Sequence, residues 1–185
     1  MSAIVEAQWT AADRARERFR CEQPPYSILT RAIETDVLPT CARYGMGVIP
    51  YSPLVGGWLS GRYRKDSDVA GPMSRQRLAN RFDLSLPENQ RKLDAAEQLA
   101  ALADKAGLSL IELAIAFVLR HPAVTAAIIG PRTMEHLDSQ LPAADVHLSD
   151  DVLDQIDKIV PPGVTLNPAD NGWVSPALEP AARRR

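Results

Sequence analysis

The chain has 185 residues, 45% of them hydrophobic and 24% charged, with a formal net charge of -2. That length and balance support one globular domain with a real core, and the near-neutral charge argues against a nucleic-acid surface. No stretch approaches the roughly 20 apolar residues that a membrane-spanning helix needs.

Residues 2–19 read as a helix in which Ile4, Val5, Trp9, Ala12 and Phe19 form one apolar stripe, with Arg14, Arg16, Glu17 and Arg18 mostly outside it. A helix with such a face normally follows a strand in an α/β fold, so a strand is expected upstream of it. Phe19 to Gln23 is a short strand, stopped by Pro24-Pro25 because proline cannot donate to a ladder. A second helix starts near Thr35-Asp36, tolerates Pro39 in its first turn, and runs to Tyr44 with Gly45 placed to cap it. Met46 to Pro50 is the second strand. From Val55 to Leu84 no periodicity persists, and Arg62, Arg64, Arg75, Arg77 and Arg81 punctuate a loop long enough to be functional or mobile.

Ser85-Leu86-Pro87-Glu88 fits a capping box, and the helix behind it places Leu93, Ala96, Leu99, Ala100 and Ala103 on one face before Gly107. Ser109 to Glu112 is a second capping box, opening an almost wholly apolar helix from Leu110 to Arg120. His121-Pro122 ends it, and Val124 to Ile129 is the third strand. Thr133 caps a helix from Met134 to about Leu141. Ser149 caps another, with Asp150 and Asp151 in its first turn and Lys158 in its last, as the helix dipole favours. The organisation expected is one folded unit over residues 1–163 and an irregular tail over 164–185 that wraps the surface or is disordered. Its basic end, Arg183 to Arg185, reads as a solvated terminus.

Alternating elements of this kind imply an α/β fold with three parallel strands and covering helices. That is part of a (β/α)8 TIM barrel or a small open sheet, since a full barrel takes about 250 residues. A half-barrel would leave open sheet edges, through which the chain is expected to self-associate or to take a complementary half. Cys21 and Cys41 lack metal-ligand spacing, and no metal site is expected. MSAIVEAQW carries no basic region or long apolar run, which makes a cytoplasmic location the default.

Three strand ends spill into Pro/Gly-marked polar loops: Arg20 to Ser27, Met46 to Arg64 and Ala126 to Thr133. One site assembled along one edge of a parallel sheet follows. The turn from Gly130 to Thr133 opens a helix, where free N–H groups favour an anion, and Arg132 adds a bidentate donor suited to phosphate. Gln23 offers an amide donor and acceptor at a strand end.

The stretches EQPPYSILTRAIETDVLPTCARYGMGVIPYSPLVGGWLSGRYR and AAIIGPRTMEHLDSQLPAADVHLSDDVLDQIDKIVPPG resemble the aldo-keto reductases. The resemblance runs from Ile4 to about Trp173 and matches the C-terminal half of that family's barrel, its fifth helix and strands six to eight. It implies NADP(H) lying across the strand ends. Gln23 would bond the nicotinamide carboxamide, and Tyr51 would stack on the ring. Ser52, Pro53 and Leu54 would line the pyrophosphate path, with Arg62 pairing with phosphate. Gly130, Pro131, Arg132, His136, Ser139 and Gln140 would surround the 2′-phosphate and adenine, although the family more often has Glu-Asn where Ser139 and Gln140 stand.

The implied activity is reduction of an aldehyde or ketone to an alcohol. The family's catalytic Asp, Tyr, Lys and His find no counterparts in this sequence, so no residue of the chain is assigned a catalytic role. A tyrosine acid needs a neighbouring cation to bring its pKa down from about 10. Among Tyr26, Tyr44, Tyr51 and Tyr63, only Tyr63 has a lysine, Lys65, close in sequence. Two alternatives stand beside the reductase: a non-catalytic NADP(H)-binding or regulatory module, like the family members that serve as channel subunits, and an inactive truncated remnant.

Overall fold

The computed structural model describes residues 2–65, 78–173 and 175–183. Of the residues singled out above, Arg75, Arg77, Arg184 and Arg185 lie outside the described residues.

Helix α1 (Ser2–Asp13) is shorter than its sequence pattern suggests. Ala15 turns left-handed at φ 48°. Arg16 N–H then closes on the Ala11 carbonyl at 2.8 Å, with Ala15 N–H on Ala12 at 3.3 Å, which is a Schellman ending on a non-glycine residue. The expected stripe is also displaced: Trp9 and Phe19 are 69% and 68% exposed, while Gln8 and Ala11 are buried. Gln8 is satisfied there, donating to the Phe19 carbonyl and to Met46 Sδ, both at 2.9 Å.

Strands β1 (Cys21–Glu22) and β2 (Gly47–Val48) pair in parallel, Cys21 opposite Gly47 and Glu22 opposite Val48. The ladder extends past both through Ile49 N–H to the Glu22 carbonyl at 3.0 Å and Tyr51 N–H to that of Pro24 at 3.1 Å. The expected third strand is present only as bonds and a bridge. Thr125 N–H reaches the Val48 carbonyl and Ile128 N–H that of Pro50, each at 2.8 Å, and Tyr51 bridges Ile128 in parallel. A three-residue step from Thr125 to Ile128 faces a two-residue step from Val48 to Pro50, and that mismatch breaks a regular ladder as a bulge does. The result is a two-stranded parallel sheet with a bridged third segment, in place of a regular three-stranded one.

A 3-10 turn (Ala32–Thr35) leads into α2 (Val37–Arg43), with Gly45 beyond it at φ 58°. The short α3 (Ala79–Phe82) precedes α4 (Pro87–Lys105). The expected capping box at Ser85 does not form: Leu86 is the N-cap, extended at ψ 130°, with no side-chain cap bond. Pro87 forces this, because a residue before proline avoids the helical region while proline suits the first helical position. The box at Ser109 does form at the head of α5 (Leu110–Arg120), with both reciprocal bonds in place. Thr133 caps α6 (Met134–Asp138) and Ser149 caps α7 (Asp150–Ile159) as expected. Helix α4 packs against α5 and α7 over a core that includes Leu29, Leu38, Val48, Trp58, Leu99 and Leu113.

Residues after α7 fold back along the strand ends. Thr165 pairs antiparallel with Thr30, and Leu166 N–H reaches the Leu29 carbonyl at 3.1 Å. The buried Arg31 clamps the same region, donating to Asp157 at 2.7 Å, to Glu34 at 2.8 Å and to the Val160 carbonyl at 2.6 Å. A last helix, α8 (Pro180–Arg183), ends the described chain. Among the described residues no helix is long and apolar enough to cross a membrane.

Candidate functional site

A cavity of about 500 Å³ opens where β2 and the bridged third segment end. Its first wall is the loop after β2, contributing Tyr51, Ser52, Pro53, Leu54, Gly56, Gly57, Ser60 and Arg62. Two residues of this loop that are not glycine, Ser52 at φ 63° and Val55 at φ 51°, hold left-handed backbone. Such conformations cost on the order of 1–3 kcal/mol each and persist only when their surroundings over-determine them. Here Val55 N–H bonds the Ser52 carbonyl at 3.0 Å, Gly57 N–H that of Leu54 at 2.9 Å, and the Val55 side chain is 2% exposed. The strained turn presents Ser52 and Leu54 to the cavity while Val55 anchors it in the core.

The second wall follows the bridged segment: Ile128, Ile129, Gly130, Arg132, His136, Ser139 and Gln140. Thr133 Oγ1 accepts from His136 N–H at 3.2 Å, so the turn from Gly130 to Thr133 is held against α6. At five residues α6 adds little dipole, and the charge on this wall is that of Arg132. Ser139 donates to the His136 carbonyl at 2.9 Å, which commits its proton locally and leaves its lone pairs to the cavity.

The third wall was not legible as part of a site: Leu78, Arg81, Phe82 and Ile111. Phe82 presses on the glycine turn, its Cζ lying 2.9 Å from where a Cβ on Gly56 would stand. Behind it Trp58 stacks on Tyr63 with ring centroids 4.3 Å apart and lies parallel to Phe82 at 6.0 Å. Lys92, fully buried, sits 4.6 Å above the Trp58 ring and 5.6 Å from that of Phe82. Burial pushes the Lys92 ammonium below the ordinary lysine range, against the pull of the Asp170 carboxylate. One sequence signal pointed here. Asn89 and Lys92 fall on the same 3.6-residue stripe as Leu93, Ala96 and Leu99, and polar groups on a buried stripe need partners.

Ten of the twelve expected binding residues line this one cavity; Gln23 and Pro131 do not. Gln23 is exposed beyond β1 and Pro131 is half-buried. The lining carries Arg62, Arg81, Arg132 and His136 and, among the described residues, no carboxylate. Apolar faces from Leu54, Phe82, Ile111 and Ile128 alternate with the three arginines. Such a cavity suits an elongated ligand with anionic groups and at least one flat apolar part.

Proton-donor chemistry is harder to place. Tyr26 is buried and donates to Glu34 at 2.7 Å. Burial and that carboxylate push its pKa well above the ordinary tyrosine value, away from any role as an acid at neutral pH. Tyr63 is buried in the aromatic stack, and Lys65 bonds Asp94 at 2.5 Å.

The model of the Aldo/keto reductase family matches residues 3–161. The match opens ahead of the strand ends that first suggested the family, so the likeness rests on that whole span rather than on a C-terminal half alone. The chain is 37% identical over 158 residues to the "Uncharacterized oxidoreductase YrpG" of Bacillus subtilis, covering 85% of this chain and 45% of that protein. It is 33% identical to "Protein tas" of Escherichia coli, over 74% of this chain and 38% of that one. It is 31% identical to the "Putative voltage-gated potassium channel subunit beta" of Schizosaccharomyces pombe, over 75% and 41%. The chain therefore spans less than half the length of each of these relatives.

Proposed function

The chain belongs to the aldo/keto reductase family, and on that premise we propose that its cavity binds NADP(H) and serves the reduction of an aldehyde or ketone to an alcohol. The observation that carries this is the gathering of Tyr51, Ser52, Arg62, Arg132 and His136 around one cavity that, among the described residues, no carboxylate lines. Tyr51, 38% exposed at the end of β2, offers a ring face for the nicotinamide. Arg132, with His136 and Gln140 beside it, takes the 2′-phosphate and adenine. Arg62, on the loop after β2, contacts phosphate. The cofactor supplies hydride, and the chain's part is to bind it and fix the face it presents. The sheet is read as a portion of a (β/α)8 barrel, and the proton donor beside the carbonyl is placed outside these 185 residues. Phe19, exposed just before β1, and Trp9, exposed on α1, are apolar surface through which copies of the chain or a complementary segment would associate. A cytoplasmic setting suits this chemistry.

The test is titration of the chain with NADPH and NADH, followed by quenching of tryptophan fluorescence. Saturable quenching with NADPH bound more tightly than NADH is expected, and Arg132→Met should remove the preference. No saturable binding of either nucleotide overturns the reading. A second reading, a non-catalytic nucleotide-binding module, is favoured by one observation: Tyr26 and Tyr63 are buried in other contacts rather than set beside a lysine at the cavity. Nucleotide binding without carbonyl reduction, in a preparation that also holds any remaining part of the protein, would select it.

A further inference from the structure

Arg81 is the cation of the third wall, and its surroundings are unusual. Its Nε donates to Asp170 Oδ1 at 2.5 Å, and the other oxygen of the same carboxylate accepts from Lys92 Nζ at 2.8 Å. Lys92 also donates to the Arg81 carbonyl at 2.8 Å, and Trp58 Nε1 reaches that carbonyl at 3.2 Å. Two cations therefore share one carboxylate, and among the described residues no second carboxylate meets either. The cluster carries one surplus positive charge. Lys92 and Asp170 are 0% and 1% exposed, so neither can show that charge to a ligand; Arg81, at 24%, can. A charge with low-dielectric walls behind it acts more strongly on an anion than a solvated one does.

The position of Arg81 narrows the kind of anion. Its side chain lines both the main cavity and a small cleft behind Tyr51 and Ser52, where Pro25, Val55, Asp170 and Gly172 meet. That places it near the Tyr51 end of the cavity, away from the wall formed by Gly130, Arg132 and His136. With Nε committed to Asp170, the two terminal nitrogens of the guanidinium remain for a bidentate partner, the geometry suited to phosphate oxygens.

Resting on the reading of the cavity as a dinucleotide site, we infer that Arg81 grips the diphosphate bridge between the two nucleosides, and that Asp170 is the positioning residue that aims it. The segment around Asp170, residues 167–172, is thereby a working wall of the site. Asn167 fastens it, donating to Asn89 Oδ1 at 2.8 Å and to the Asn80 carbonyl at 2.9 Å. Gly172 seals it against the Tyr51 hydroxyl, which lies 2.6 Å from where a Cβ on Gly172 would stand.

NADPH and NADH share the diphosphate and differ in the 2′-phosphate, and the experiment uses that. Affinities of the whole chain for both are measured by fluorescence quenching, with inorganic pyrophosphate as a competitor of NADH. Arg81→Met should weaken both nucleotides by the same factor, about tenfold or more, the scale of a lost charge-assisted hydrogen bond. It should also abolish competition by pyrophosphate, while Arg81→Lys recovers part of both. Arg132→Met, in contrast, should weaken NADPH selectively. A folded Arg81→Met chain with undiminished affinity overturns the inference and leaves the dinucleotide reading standing. So does unequal weakening of the two nucleotides. Failure of pyrophosphate to displace NADH from the unsubstituted chain overturns it without any variant. An unsubstituted chain that binds neither nucleotide overturns the dinucleotide reading and this inference with it.

Discussion

Asp170→Asn is the substitution with the largest expected effect on stability. It removes the only charge among the described residues that balances Lys92 and Arg81, while leaving the shape of the site nearly unchanged. Lys92 has no exposed side-chain surface, and its carboxylate partner is 1% exposed. Breaking one side of such a buried pair costs about 3–5 kcal/mol, because an uncompensated charge stays inside. The lower end applies here, since asparagine can still accept a hydrogen bond and the Trp58 and Phe82 faces remain beneath the ammonium. About 3 kcal/mol is a change of more than a hundredfold in the folding constant, a large part of an ordinary domain's stability.

Lys92→Met should behave differently. It removes the buried charge itself and leaves Asp170 paired with Arg81 and the Arg81 carbonyl still accepting from Trp58. Its cost should be about 1 kcal/mol, by the rule that an apolar replacement of similar volume is tolerated where a broken pair is not. Urea unfolding read through tryptophan emission measures both, Trp58 being buried while Trp9 and Trp173 are 69% and 70% exposed. The double variant should be more stable than Asp170→Asn alone, because removing the ammonium relieves the penalty. If Asp170→Asn proves the milder single change, or the two losses simply add, the electrostatic account of this cluster is wrong.

The same lysine gives a pH signature. Because its folded pKa lies below the unfolded value of about 10.4, the unfolded chain holds more protons between those two values, and stability rises with pH across that window. The stability of the unsubstituted chain relative to Lys92→Met should therefore grow toward pH 10, and a flat difference in denaturant titrations refutes the burial effect. Gly172→Ala puts a Cβ 2.6 Å from the Tyr51 hydroxyl on left-handed backbone at φ 72°. The backbone alone costs about 1–2 kcal/mol, and the displaced Tyr51 should weaken nucleotide quenching, so a lowered melting temperature with unchanged NADPH affinity would separate the two effects and count against the seal. Ser109→Ala removes a complete capping box and should cost about 1 kcal/mol in urea unfolding. In the unsubstituted chain Glu112, held below the ordinary carboxylate range by its bonds to Ser109, contributes stability that is present above an unfolded pKa of about 4.3 and lost as pH falls through its folded value.

What the sequence made legible follows from how local each signal was. Ser109, Thr133 and Ser149 cap their helices as read, because a cap is decided within four residues. Ser85 fails for an equally local reason, the restriction that Pro87 places on Leu86, which was readable and outranks the capping pattern. Strand existence was visible at Cys21–Glu22 and Gly47–Val48, but the step mismatch that thins the third strand lies between chains of atoms far apart in sequence. The first and second cavity walls were found through motif-like loops. The third was hidden, since Lys92 and Asp170 stand 78 residues apart and nothing near either one names the other. The stripe on α1 misled for two reasons: a 3.6-residue pattern says which residues share a face, while Trp9 shows that sharing a face is not burial, and Phe19 lies beyond the helix end at Asp13.

The clamp between the first strand end and the residues after α7 also sets a clock. Arg31 reaches the Val160 carbonyl across 129 positions, Leu166 closes on Leu29, and Asp170 meets Arg81 across 89. Long closures carry an entropic cost that is met only when both ends exist, which slows folding that depends on them. At roughly 5–20 residues per second of synthesis, some ten seconds pass between the making of Arg31 and that of its distant partners Asp157 and Val160. During that interval a cationic side chain destined for burial and the end of β1 both stay in water. A nascent chain is thus kept from assembling these cavity walls until Asp170 has been made and has left the ribosome.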